Sequence, residues 1–484
     1  MAQGTVRKGF FFYFGLFVLM LVAGFLICLV VMMFSPGTTV LWMQYFTDNK
    51  TTHVTSLTGG GTIDYSSVTE ITINCNYADV VVQSNKEYVD GDGIYIVNRA
   101  KGFTLAKNAV KFSYRVSQNG SHLTIDMTEP KGFLYFSKDI EIIINDYTES
   151  VKLNLNNLSL HVNAEGDSNI TLGGTTNHEE QNIAPRELDL HTAKGAIYWL
   201  ERCKTTNLNS VKLSTDSGKI YIKDESLAVN QDVTLQTKSG KISLGALNVG
   251  AHEIYLKNTK GSVSAKNLTA TKVSVDSVHG NFVIESVNGK FTFEGCEEKI
   301  IQPILNITNM NGDFDLSVDN TQSDVAPEVI IGKITGKLNV IARKGKVVVK
   351  EAAGAVNVES EYEGKAKLYS DITIGVTNSN LIHVAQEAGN LKMNFKGSVN
   401  NVNLKTTTGK ITLNFTTAAR FTARARKASN TEENVADKNI TISIDRNKLD
   451  YGTDKANLTI GTSPTGTANI YTNSTITYNL VESI

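Results

Sequence analysis

Proline is scarce in this chain, with 6 in 484 residues. Turns therefore fall to Gly and Asn, which tolerate positive φ. Tryptophan occurs twice and cysteine four times, as Cys28, Cys75, Cys203 and Cys296. Wide gaps and the lack of a Cys-x-x-Cys exclude a disulfide framework and a zinc knuckle, so buried single thiols are expected. Charge is balanced, with a net of −1 and 20% charged residues, which removes the electrostatic case for nucleic acid or anionic lipid as partner. No long charge run or low-complexity tail is present, so extended disorder is excluded. The eight histidines never fall at i, i+2 or i, i+4 spacing. There is no Gly-x-Ser-x-Gly, phosphate loop or Rossmann glycine pattern. No catalytic, metal or cofactor residue is assigned.

What the chain has is a repeat. With a turn glycine as zero, apolar residues sit at −7, −5, +2 and +4: Val211, Leu213, Ile220 and Ile222 around Gly218, and Val233, Leu235, Ile242 and Leu244 around Gly240. The frame recurs at Gly195, Gly261, Gly280, Gly312, Gly336, Gly345, Gly354, Gly389 and Gly409. From Val329 to Val358 the doublets return every nine residues. Period-2 doublets are short strands with one buried face, and a fixed period marks coils that bury that face only by stacking. The expected fold is all-β, a single-stranded right-handed parallel β-solenoid of roughly ten coils, about 50 Å along its axis. Position −3 is mostly small and polar (Thr192, Thr215, Thr237, Asn258, Ser277, Asn309, Thr406) and should bond the turn backbone from the buried face.

Residues 10–34 are uncharged and apolar, and Arg7 and Lys8 precede them. This predicts a transmembrane signal-anchor helix, too long for a cleaved signal peptide, and makes the membrane a partner. Residues 1–9 would be cytoplasmic and the body extracellular or lumenal. The predicted organisation continues with a stalk at 35–65, a β entry region or cap at 66–150 and solenoid repeats at 151–418. A charged loop at 419–438 and C-terminal strands at 439–484 follow, of which Asn469 to Tyr478 would cover the open end.

The phrases Asp216-Ser-Gly-Lys-Ile-Tyr-Ile222, Lys238-Ser-Gly-Lys-Ile-Ser-Leu244 and Thr407-Thr-Gly-Lys-Ile-Thr-Leu413 resemble the Ser-Gly-x-Ile-x-Ile units of the adhesin family of β-solenoid domains found on many surface proteins. Ile71 to Val82 is similar to that family's opening strands. The resemblance covers residues 66–480 and implies a β-solenoid; it carries over no catalytic residue. The turns from 261 to 312 depart from it, reading Lys-Gly, His-Gly and Asn-Gly.

Candidate sites lie on outward positions. Lysines at turn position +1 (Lys219, Lys241, Lys290, Lys337, Lys346, Lys410) would form a ridge for an acidic glycan if the turns stack in register. Asp313 and Asp315, with Asn309 and Asn311, form a cluster that could hold a cation weakly. Asp90-Gly-Asp92-Gly opens like a calcium loop, but Lys101 stands where its bidentate Glu belongs. Trp199, at +4, reads as core. Asp224/Glu225 and Glu359/Glu361/Glu363 are outward carboxylates without flanking aromatics, which argues against a polysaccharide-active enzyme. Asn-x-Ser/Thr sequons at Asn49, Asn119, Asn157, Asn169, Asn267, Asn306, Asn414, Asn439, Asn457 and Asn473 permit N-glycosylation, at a density that chance supplies in so Asn-, Ser- and Thr-rich a chain. The expectation is a non-enzymatic adhesin-like protein presenting a recognition face to a glycan or protein ligand. The alternative is a self-associating scaffold or coat.

Overall fold

The structure, a computed structural model, describes residues 9–33, 53–56, 63–76, 78–83, 93–98, 101–104, 113–128, 133–137, 140–145, 158–173, 185–200, 208–223, 227–277, 280–294, 304–318, 328–342, 345–360, 371–377, 381–397 and 400–483. Its body is a stack of parallel strands arranged as two facing sheets. One, the first face, runs through Glu187–Thr192, Ser210–Thr215, Val233–Thr237 and Glu253–Asn258. The other, the second face, runs through Ile197–Trp199, Ile220–Ile222 and Lys241–Asn248. Each coil contributes a segment to each face; Ser262–Ser277 and Asn281–Glu294 supply both segments as one continuous strand. A short third ladder, with Leu227–Ala228 against Leu247–Asn248, follows the second face before the chain returns to the first.

Alternation places the residues as the repeat demands. The strand Ser210–Thr215 buries Val211, Leu213 and Thr215, while Ser210 and Lys212 are exposed. Every −7, −5, +2 and +4 residue around Gly195, Gly218, Gly240, Gly261, Gly280 and Gly312 is buried, Trp199 among them at 1% exposure. Where the core needs bulk it uses phenylalanine: Phe291 and Phe314, on adjacent coils, stack with centroids 5.4 Å apart.

The corner from first to second face explains the glycine. An ideal Cβ on Gly218 would lie 1.6 Å from the Gly195 carbonyl oxygen, and one on Gly240 1.5 Å from that of Gly218. Close approach of coil to coil, not positive φ, requires glycine there. The small polar residue at −3 completes the corner. Thr215 Oγ1 donates to the Gly195 carbonyl (3.3 Å) and accepts from the Gly218 N–H (2.9 Å). Thr192 does the same between Ser168 and Gly195, and Thr237 accepts from the Gly240 N–H at 2.8 Å. Asn258 serves with its amide. Asn309 departs from the expectation: it is exposed, because Gly312 belongs to the other corner.

The coil count corrects the expectation. The ladders join sixteen parallel strands on the first face and sixteen on the second. At about 4.8 Å per rung the stack is about 70 Å long. Two causes produce the difference. The nine-residue beat is half a coil, since Leu338–Ala342 lies on the first face and Lys346–Ala352 on the second. The expected entry region and C-terminal strands are also rungs of the stack: Glu70–Cys75 pairs in parallel between His122–Thr128 and Ser159–Ala164.

The far end shows the same insertion. Thr467–Thr472 lies between Asn401–Thr408 and Phe421–Arg426, and Ile476–Leu480 between Ile411–Phe415 and Ile440–Ser443. Residues 469–478 therefore do not cover the end but sit one coil inside it. The expected loop at 419–438 contains the outer strand Phe421–Arg426. Antiparallel strands border the stack instead, with Ser113–Asn119 and Gly93–Asn98 at one end and Asn457–Ile460 at the other. Within the expected stalk, His53–Ser56 pairs with Gly93–Asn98.

The helix corrects the membrane assignment. It spans Phe10–Met33, 24 residues. Among the described residues no helix is long and apolar enough to cross a membrane. The single-pass span at 10–34, the membrane partner, the cytoplasmic N-terminus and the extracellular or lumenal localisation of the body are withdrawn on that finding.

Two outcomes test the corner. Gly240→Ala must push adjacent coils apart and should cost about 1–3 kcal/mol. Thr237→Val leaves the buried Gly240 N–H without an acceptor and should cost a similar ~1–3 kcal/mol. Urea unfolding reads both, and a wild-type midpoint for either variant would refute the corner account. A separate prediction concerns Cys75, which is 1% exposed, with its thiol pushed up to about 12 by burial. In the native chain near neutral pH, a maleimide should label the exposed Cys28 and spare Cys75 until the stack is unfolded.

Candidate functional site

With the core filled, only outward positions and corners remain for chemistry. Register decides which of them meet. Lys219 and Lys241 directly precede the paired Ile220 and Ile242 and are neighbours. Beyond Lys241 the same column reads Ser262, Asn281, Ile304 and Glu328 before reaching Lys346. Asp371 follows, and Lys410 lies further on, directly before Ile411. Lys290 and Lys337 belong to the other corner, where Asp313 stands between them, one residue before Phe314 in its pairings with Phe291 and Leu338. The six lysines therefore form no continuous ridge. A single glycine frame had merged two corners that lie on opposite edges of the stack.

Two of these lysines open onto a groove of about 400 Å³ on the outer surface of the first face. Its floor is an amide ladder. Asn357 Nδ2 donates to Asn339 Oδ1, and Asn339 Nδ2 to Asp315 Oδ1, both at 2.8 Å. Lys290 Nζ lies 3.5 Å from the other Asp315 oxygen. The Lys337 N–H donates to Asp313 Oδ1 at 2.7 Å. Ala355 follows Lys337 in the column and Leu381 follows Ala355, directly before the paired Leu338, Val356 and Ile382. The small alanine side chain leaves the depression, and Leu381, 49% exposed, gives it an apolar wall. His383 stands beside Asn357. Such a site can offer amide donors and acceptors, an ammonium and one apolar surface. Its carboxylates are already held by an ion pair and hydrogen bonds, which suits them to shaping the wall.

Other candidates separate. Asp313 and Asp315 do share an outward face, but Asn309 and Asn311 lie on the strand Ile304–Asn311 of the second face, where Asn311 donates to Asn288 Oδ1. The expected cation cluster does not converge. Among the described residues no group of three His, Cys, Asp or Glu side chains is arranged to hold a metal ion. Glu359 is exposed, whereas residues 90, 92, 224, 225, 361 and 363 lie outside the described residues.

The structure also assembles groups that spacing concealed. His122 and His161, far apart in the chain, bracket Glu70 with Nε2–Oε1 separations of 3.8 and 3.7 Å. On the second face Tyr198 and Tyr221 stack edge to face at 6.5 Å, with Lys219 Nζ 4.3 Å from the Tyr221 ring centre. Both tyrosines occupy position +3 of their turns, between the two inward residues, so the frame itself contained that signal. Of the sequons, Asn119, Asn306 and Asn473 are exposed. Asn169, Asn267, Asn439 and Asn457 are half-buried, and Asn169 and Asn457 are tied to Asp79 and Asp454. Asn414 is buried in a ladder between Asn394 and Asn479, which leaves no space for a glycan in the folded stack. Asn49 and Asn157 lie outside the described residues.

Comparison with known proteins gives one family. Residues 68–457 match the family described as Toastrack DUF4097. No curated protein matches the chain. Among solved structures, a "putative cell adhesion protein" from Clostridium sporogenes ATCC 15579 is similar over 89% of this chain and 98% of that one, at 7% identity and a TM-score of 0.14. So low a TM-score supports no argument. The family match runs from two residues before the rung Glu70–Cys75 to the first residue of the bordering strand Asn457–Ile460. It takes in every coil of the stack except the one formed by Thr467–Thr472 and Ile476–Leu480, and the chain belongs to the Toastrack DUF4097 family.

Proposed function

We propose that the chain is a non-enzymatic, adhesin-like recognition protein that holds a glycan or protein ligand against the outer surface of its solenoid. The groove between Lys290 and His383 carries this reading. It combines an amide ladder, the Lys337 ammonium and the Leu381 wall, while both of its carboxylates are committed to fixing neighbouring groups. Mixed polar and apolar lining of this kind recognises hydroxyl-rich or peptide ligands through hydrogen bonds plus one apolar contact. A scaffold built by end-to-end stacking is the weaker reading, because antiparallel strands border both faces at one end of the stack and the first face at the other, which blunts parallel continuation.

The test is a binding screen of the full chain against neutral and acidic glycans and immobilised proteins. For a ligand that the groove binds, Lys337→Ser combined with Asn357→Ala should weaken affinity about tenfold or more, since each lost hydrogen bond counts for about 1 kcal/mol and a charged one for more. Lys212→Ser, on the same face but paired to Asp189 at 3.1 Å, should leave it unchanged. Turnover of a polysaccharide by the wild type, or equal binding by the double variant, would overturn the proposal.

A further inference from the structure

A second depression, of about 460 Å³, follows the corner from first to second face, where Gly240, Gly261 and Gly280 succeed one another. Its floor is bare backbone, because no side chain fits there: a Cβ on Gly240 or Gly261 would lie 1.5 or 1.6 Å from the carbonyl oxygen of the coil beneath. The trough is therefore a direct product of the coil spacing. It follows the register column Lys241, Ser262, Asn281, Ile304, three rung spacings or about 14 Å.

Among the described residues its lining is one-signed: Lys241 and Lys260 border it, both exposed, and no carboxylate does. Several lysines elsewhere on the outer surface are neutralised: Lys238 by Asp216 at 2.8 Å, Lys257 by Asp276 at 3.3 Å and Lys346 by Glu328 at 2.6 Å. Lys219, one coil before Lys241, lies over Tyr221. Neither Lys241 nor Lys260 has an ion-pair partner among the described residues. At the opposite end of the trough Ile304 is 43% exposed. Ammonium groups at one end and an apolar side chain at the other match an oligosaccharide with an acidic substituent on one ring and the C–H face of another ring farther along.

We propose that this trough is a binding site for an acidic oligosaccharide, its carboxylate or sulfate held by Lys241 and Lys260 and a further ring resting against Ile304. Nucleic acid fits less well: two ammonium groups on a chain of net charge −1 would neutralise too few phosphates for useful affinity. The inference deepens the recognition reading above but uses a different site from the groove at Asn357.

The experiment is titration of the full chain with oligogalacturonate, a heparin-derived tetrasaccharide, a neutral oligosaccharide of equal length and a short DNA duplex, at two salt concentrations. At least one acidic oligosaccharide should bind, more weakly as salt rises, and better than the neutral one. Lys241→Ser with Lys260→Ser should weaken it at least tenfold and flatten the salt dependence, and the double Arg variant should retain it. The Lys337→Ser, Asn357→Ala variant should bind it as the wild type does. Unaltered binding by the double Ser variant, no binding of either acidic oligosaccharide by the wild type, or tighter binding of DNA would each overturn the site. The recognition reading survives that loss if a ligand still depends on Asn357, so the two can fail separately.

Discussion

Everything in this molecule follows from how close one coil lies to the next. Backbone hydrogen bonds between parallel strands set a spacing of about 4.8 Å, and the chain must honour it at the corners as well as along the strands. On straight segments side chains alternate and the spacing is easily met. At the corner it leaves no room for a Cβ, as the carbonyl of Gly218 against Gly240 shows. The corner backbone is also turned away from the ladder, so its donors need other partners. Buried threonines supply them: Thr192 and Thr215 each accept from their own turn and donate to the turn beneath, and Thr237 accepts from its own. Glycine and threonine are thus as much part of the stacking interaction as Ile220 or Ile242.

That constraint also governs the surface. In-register stacking brings like residues of successive coils together, and amides tolerate this where charges do not. The outer surface accordingly carries Asn ladders, Asn267 to Asn288 to Asn311 and Asn394 to Asn414 to Asn479. Several lysines are instead paired with acids of a neighbouring coil, as Lys212, Lys238, Lys257 and Lys346 are, and the broad-face groove and the corner trough appear where pairing or side-chain size changes. The abundance of asparagine, which in the sequence suggested only turns and sequons, is in good part a stacking requirement.

The inward positions were legible because a two-residue period has one interpretation in a half-buried strand, and the corner threonines because parity puts position −3 on the buried side. What escaped was long-range. Nothing local distinguishes Gly336 from Gly345, yet they turn opposite corners, and this divided the expected ridge between Lys337 and Lys346. Nor does spacing reveal that Glu70–Cys75 is flanked by strands some fifty and ninety residues later, so His122 and His161 could not be placed beside Glu70. Of the two depressions, the constituents of one were visible as Asp313, Asp315 and Lys337. Its floor and wall are Asn339, on the coil of Lys337 itself, and Asn357 and Leu381, from the two coils beyond.

The insertion of residues 467–480 between two earlier-laid coils sets an order of assembly. A solenoid whose rungs follow sequence order can be peeled from its end one unit at a time. Here the outermost coil, Phe421 to Ser443, rests on strands that come later in the chain. It can reach its final place only once those strands have entered, and they cannot leave until it has moved. A mirror-image dependence holds at the other end, where Glu70–Gln83 is enclosed by the coil of His122 to Asn145. Both termini of the stack are thereby latched by topology, so fraying there requires a concerted release of two coils rather than the loss of one.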